Sequence, residues 1–148
     1  MRSDLITGGL AAAIMAVLLT PSFAQNSTQP DLSGTWVDRA NNADKITVSE
    51  QGDNIQIRET EGDKVVANYK CSLDGKQCES KEEGRSAKVM TYYNGAKLVE
   101  IIERGSDVTK RRFSLSQDGK TMVVEMMPLT DESKVITRTF QKQADKNS

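Results

Sequence analysis

The side chains that could carry chemistry are few, and the missing types limit them as much as those present. The chain contains no histidine, which removes every mechanism built on an imidazole base and the usual nitrogen ligand of zinc. It also lacks a Gly-x-Ser-x-Gly elbow, a Ser-x-x-Lys pair and a phosphate-binding glycine loop ahead of a lysine. Carboxylate chemistry needs only two acids at a suitable separation, and Glu82 and Glu83 are adjacent. Neighbours on an extended segment point to opposite sides, however, so this pair reads as a solvated loop or strand end. The expectation is a protein that is not an enzyme and has no cofactor and no metal site.

Cys71 and Cys78 flank Asp74-Gly75, the dipeptide that most strongly signals a two-residue hairpin turn. Pairing about that turn sets Cys71 opposite Cys78, at the Cα separation of about 4.5 to 5.5 Å that a disulfide accepts. A redox role would want Cys-x-x-Cys spacing. The pair therefore reads as a structural disulfide, closed in an oxidising compartment.

Strands must place these side chains. From Leu32 onward, turn signals recur roughly every ten residues, the cadence of an antiparallel all-β sandwich or barrel, with no helical periodicity of useful length. A two-residue turn at Gly52-Asp53 pairs Val48 with Ile57 and Glu50 with Ile55, so Ile46, Val48, Ile55 and Ile57 share one face. Glu61-Gly62-Asp63 leads into a strand in which Val65, Ala67, Tyr69 and Cys71 alternate. The charged segment from Glu79 to Arg85 reads as a loop. Asn94-Gly95 reads as a tight turn that sets Thr91 opposite Leu98 and Val89 opposite Glu100. Gly105-Ser106 sets Leu98 opposite Phe113 and Glu100 opposite Arg111, while Asp118-Gly119 sets Phe113 opposite Val124 and Arg111 opposite Met126. These turns agree on one largely apolar face, and a last strand runs from Val135 to Lys142. About eight or nine strands result, and an up-and-down meander of that size closes into a barrel to remove its edges.

Glu100 and Arg111 are the sharpest local feature, because a glutamate and an arginine on an apolar face must be paired or bound to something. Either they satisfy each other, or Arg111 anchors a ligand carboxylate or other acceptor. In the second case Tyr69, Tyr93 and Phe113 would line the space with them.

Residues 1–24 read as a secretory signal, with Arg2 near the start, an apolar run from Leu5 to Leu19 and Ser22-Phe23-Ala24 as a small-x-small cleavage site. The run is short of the roughly 20 residues a bilayer needs, so no membrane span is expected after its removal. The protein should be exported, to the periplasm or the outside. Residues 25–31 read as a flexible segment, 32–143 as a single domain and 144–148 as a loose tail. Asn26-Ser27-Thr28 matches a glycosylation acceptor, relevant only in a eukaryotic host. The net charge is −1 and the two signs are interspersed, so there is no basic footprint for nucleic acid or anionic lipid.

The leader, the stretch Leu32-Ser33-Gly34-Thr35-Trp36, the meander of hairpins and Arg138-Thr139-Phe140 in the final strand together resemble the lipocalin superfamily, in its bacterial lipocalin-like form. The resemblance covers Leu32 to about Lys142. It implies an eight-stranded barrel in which Trp36, following Gly34, closes one end and Arg138 packs across its indole, a contact worth about 0.5 to 2 kcal/mol. Avidins and fatty-acid-binding proteins share that barrel, so the resemblance does not choose a ligand.

The resulting expectation is a non-enzymatic exported protein that holds a small apolar ligand in its lumen by burying it and making one or two polar contacts. The rival is a module that acts through its surface or loops on another envelope or secreted protein. Small exported barrels that inhibit proteases also open with Gly-x-Trp and carry one disulfide. An enclosed volume above roughly 300 Å³ favours the first reading.

Overall fold

The computed structural model describes residues 29–144. The secretory signal, the glycosylation acceptor and residues 145–148 of the tail lie outside the described residues. Ten strands follow one another: β1 (Gly34–Asp38), β2 (Asp44–Gln51), β3 (Asn54–Glu61), β4 (Lys64–Ser72), β5 (Asp74–Glu82), β6 (Arg85–Asn94), β7 (Lys97–Arg104), β8 (Asp107–Leu115), β9 (Thr121–Pro128) and β10 (Ile136–Lys142). They form one antiparallel sheet in the order β4-β3-β2-β1-β10-β9-β8-β7-β6-β5. Pairing of β1 with β10 brings the first and last strands together, and the sheet curls into a nearly closed all-β barrel.

The count exceeds eight or nine because Glu79 to Arg85 is not a loop. It forms the end of β5, a turn at Glu83-Gly84 and the start of β6. Ser80 and Glu82 face inward and are buried, so the charges that suggested a loop sit mostly on the wet side of a strand.

The strands adjoining that addition form the barrel's one seam. Sheet edges β4 and β5 share no ladder among the described residues. Instead the Cys71–Cys78 disulfide joins them, its Cα atoms 5.4 Å apart. The bond is the expected one, but the tight two-residue hairpin is not. Only Leu73 separates the strands, and its N–H donates to the Asp53 carbonyl at 2.7 Å. β5 pairs with β6 instead, through an irregularity between Asp74 and Gln77.

Elsewhere the turn chemistry sets the register as read: Val48 faces Ile57, Glu100 faces Arg111, and Arg111 faces Met126. At Asn94-Gly95 the turn falls one residue later. Asn94 pairs with Lys97, so the loop is Gly95-Ala96, and Gly95 alone has a positive φ of 60°. Glycine at the first central position is the type II′ pattern, which fits the strand twist. Thr91 therefore faces Glu100 and Tyr93 faces Leu98. Because the shift is even, every side chain keeps its face. Opposite Glu59 and Thr60 of β3, an irregularity in β4 shifts the pairing around Val66, turning Val66 toward the interior and leaving Val65 40 % exposed.

Candidate functional site

Up-and-down strands put their turns alternately at two ends. At one end lie Gly52-Asp53, Gly95-Ala96 and the 116–120 turn, and there the barrel is filled by protein. Leu32, Trp36, Ile55, Ile57, Leu98, Phe113 and Met122 are all fully buried. The other end gathers the turns at Gly62-Asp63, Glu83-Gly84 and Gly105-Ser106. It opens into a cavity of about 360 Å³ whose apolar walls come from Ile46, Val66, Ala67, Val124, Met126, Ile136 and Phe140. Glu61, Glu83 and Arg85 stand at its rim.

Arg111 and Glu59 bring charge to the inside of this cavity. Register sets Arg111 on β8 opposite Glu100 on β7, and its Nε donates to that carboxylate. Its Nη2 crosses the lumen to donate to Glu59 Oε1 on β3 at 2.5 Å and to the Tyr69 hydroxyl on β4 at 3.1 Å. The guanidinium also lies 5.2 Å from the centre of the Phe113 ring. One cation thus ties together two pairs of neighbouring strands, β7-β8 and β3-β4, that are far apart in the sheet order.

The two glutamates respond in opposite directions. Burial dominates for Glu100, which is wholly enclosed, and pushes its carboxyl above the ordinary value of 4.5 despite Arg111. Its Oε1 has no hydrogen-bond partner in the protein. Burial also acts on Glu59, but the charge and hydrogen bond of Arg111 together outweigh it and hold Glu59 low. Arg111 itself stays cationic, since its two carboxylates overcome the cost of burying it.

A second arginine is satisfied in the same way. Arg138 donates from Nε to Asp38 Oδ2 at 2.6 Å and from Nη2 to Asp44 Oδ2 at 2.9 Å, over the Phe140 ring at 5.3 Å. Burial would raise the Asp38 carboxyl, but the Ala40 N–H and Arg138 hold it below the usual aspartate range. Arg104 is paired with the buried Glu82.

Of the residues singled out in the sequence, Glu100, Arg111, Tyr69 and Phe113 come together. Tyr93 does not join them. It lies toward the filled end, its hydroxyl 2.9 Å from Glu50 Oε1 and 3.0 Å from the Pro30 carbonyl, and burial raises its phenol well above the ordinary value. Glu50 Oε1 also accepts the Leu32 N–H at 2.9 Å. This network secures Pro30, which had read as part of a flexible segment.

The indole is closed by a different cation from the one the resemblance implied. Trp36 is fully buried and donates from Nε1 to the Leu32 carbonyl at 2.8 Å. Its ring carries the Lys142 ammonium at 5.4 Å, not the Arg138 guanidinium. Register explains the correction: Trp36 faces Lys142 on β10, whereas Arg138 lies further along that strand toward Asp38 and the open end. Gly34 makes room, because a Cβ there would stand 2.9 Å from Lys142 Cε.

Glu59, Asp38, Asp44, Glu82 and Arg104 were not anticipated. Glu59 could have been found, since the inward alternation Ile55, Ile57 continues onto it. Alternation from Cys78 through Ser80 likewise reaches Glu82. Asp38 and Asp44 acquire their role only once β1 meets β10.

A ten-stranded antiparallel meander, nearly closed, with one unladdered seam among the described residues, has the fold of fatty-acid-binding-protein-like barrels. Among solved structures, a REP1-NXSQ fatty acid transporter matches with a TM-score of 0.65 at 16% identity, covering 78% of this chain and 98% of that one. Wild-type fluorescent protein UnaG matches with a TM-score of 0.60 at 16% identity, over 75% of this chain and 96% of that one. The apo lipid binding protein 8 of Caenorhabditis elegans matches with a TM-score of 0.55 at 10% identity, over 68% of this chain and 70% of that one. No protein-family model and no curated protein sequence matches the chain. Among the described residues, no helix is long and apolar enough to cross a membrane.

Proposed function

We propose that this protein is a non-enzymatic, exported binding protein that holds a small, largely apolar molecule in the open half of the barrel. The observation that carries the reading is the cavity of about 360 Å³ with seven apolar side chains on its walls, within the range of roughly 300 to 1,000 Å³ that small-molecule sites occupy. The names of the structural neighbours, a fatty acid transporter and a lipid binding protein, point the same way. Export, to the periplasm or the outside, is supported by the leader-like residues 1–24 and the disulfide.

The test is titration with an environment-sensitive neutral naphthylamine dye, alongside native mass spectrometry of protein purified without detergent. Val66→Trp, which fills the cavity from its wall, should abolish dye binding without unfolding the barrel. Equal binding by this variant would remove the cavity from consideration. The rival reading, a surface-acting module of the protease-inhibitor type, draws on the exposed apolar side chains Leu129 and Val135 between β9 and β10 and Ile136 at the start of β10. It gains if the cavity takes up nothing while Ile136→Asp abolishes capture of an envelope or secreted protein. N-terminal sequencing of the protein recovered outside the cytoplasm checks the leader, with cleavage expected after Ala24.

A further inference from the structure

Four arginines line the cavity, and three of them are already held by carboxylates of the protein itself. Arg111 is bonded to Glu100 and Glu59, Arg138 to Asp38 and Asp44, and Arg104 to Glu82. Carboxylates therefore outnumber guanidiniums in these clusters, and Glu100 still has an oxygen without a partner. The fourth, Arg85, is exposed at the rim, where solvent and salt weaken its attraction. Beside it stand Glu61 and Glu83, the latter bonded to Lys64 at 2.9 Å.

An arriving anion thus meets no vacant buried cation. To pair with a guanidinium it must compete with a carboxylate fixed in the protein, which already takes Nε and Nη2 of Arg111 and of Arg138 and whose effective concentration far exceeds that of a free ligand. The displaced carboxylate would then remain in a desolvated site without its partner. A hydroxyl or ammonium faces neither obstacle, because it donates to walls already rich in acceptors.

Resting on the ligand-binding reading of this cavity, we infer that it selects amphiphiles whose polar end is uncharged or cationic and discriminates against carboxylates. The apolar part of such a molecule lies against Val66, Ala67, Val124 and Phe140, and its polar end against the Glu59 side of the cavity. The ion pairs serve as a specificity filter: they bring arginines into the lumen with their charge already balanced by the protein's own carboxylates.

Competition against the neutral naphthylamine dye tests this with three probes of equal chain length: 1-dodecanol, dodecylammonium and dodecanoate, each below its aggregation threshold. The alcohol and the ammonium should each displace the dye at concentrations about tenfold lower than dodecanoate, the size of effect expected when one charged group goes unpaired. Glu59→Gln removes one of the two carboxylates on Arg111 and should narrow the gap between dodecanoate and dodecanol about tenfold. If that variant does not fold, the wild-type ranking decides. Tighter binding of dodecanoate than dodecanol overturns the inference and leaves the cavity a ligand site. Failure of the dye and all three probes to bind overturns the ligand-binding reading, and the inference with it.

Discussion

Cys71 and Cys78 are bonded across the seam between β4 and β5, their Cα atoms 5.4 Å apart, where the strands share no ladder of hydrogen bonds. The covalent link therefore acts where the sheet has no ladder to hold its edges. Replacing both cysteines by alanine should lower stability by about 2 to 3 kcal/mol on the chain-entropy account of so short a loop. Urea unfolding gives the magnitude. Amide exchange should quicken in β4 and β5 well before it does in β1 and β10, and uniform quickening would show that the seam is not where the bond acts.

Arg111 offers a second measurement. Arg111→Met strands Glu59 and Glu100 without their cation and should cost about 3 to 5 kcal/mol, as breaking a buried pair from one side does. Adding Glu59→Gln and Glu100→Gln to that variant should restore much of the loss, because no unpaired charge is then left inside. A triple variant no more stable than the single one would mean that the arginine contributes by packing on Phe113 and not by neutralising the acids.

Stability should also depend on pH in opposite senses through the two glutamates. Glu100 is held above 4.5 by burial, so its protonated form is favoured by folding. That contribution is full below about pH 4.5 and disappears as pH rises through the folded value. Glu59 is depressed; its contribution is present above about pH 4.5 and fades as pH falls through its folded value. Glutamine imitates the protonated acid, so Glu100→Gln should gain on the wild type as pH climbs from 5 to 8. Urea midpoints that move in parallel across that range would contradict the assignment.

Trp36 reports which cation lies over it. Lys142→Ala should change the indole emission and cost about 0.5 to 1 kcal/mol, the range for an exposed cation on an aromatic face. Arg138→Ala should leave the emission alone while destabilising the protein further, because Asp38 is then buried without its guanidinium. A spectral change in the second variant and none in the first would restore the pairing implied by the lipocalin resemblance.

Much of the barrel was legible in the chain because antiparallel hairpins are local. Gly52-Asp53 and Gly105-Ser106 determine both turn and register, which is why Glu100 could be set opposite Arg111 from residue order alone. Even the misplaced turn at Gly95 left the inward faces intact, since a shift of two residues preserves side-chain alternation. The disulfide was expected too, though on a two-residue hairpin at Asp74-Gly75 that the strands do not form.

Closure was decided only by tertiary structure. Arg111 reaching Glu59, Arg138 reaching Asp38 and Lys142 covering Trp36 join residues between 52 and 106 positions apart in the chain. Turn chemistry acts over a few residues and carries no information about which distant strand lies across a lumen. That depends on how far the whole sheet curls and where its edges meet, and the curling gives the arginines their protein partners and leaves the cavity at one end.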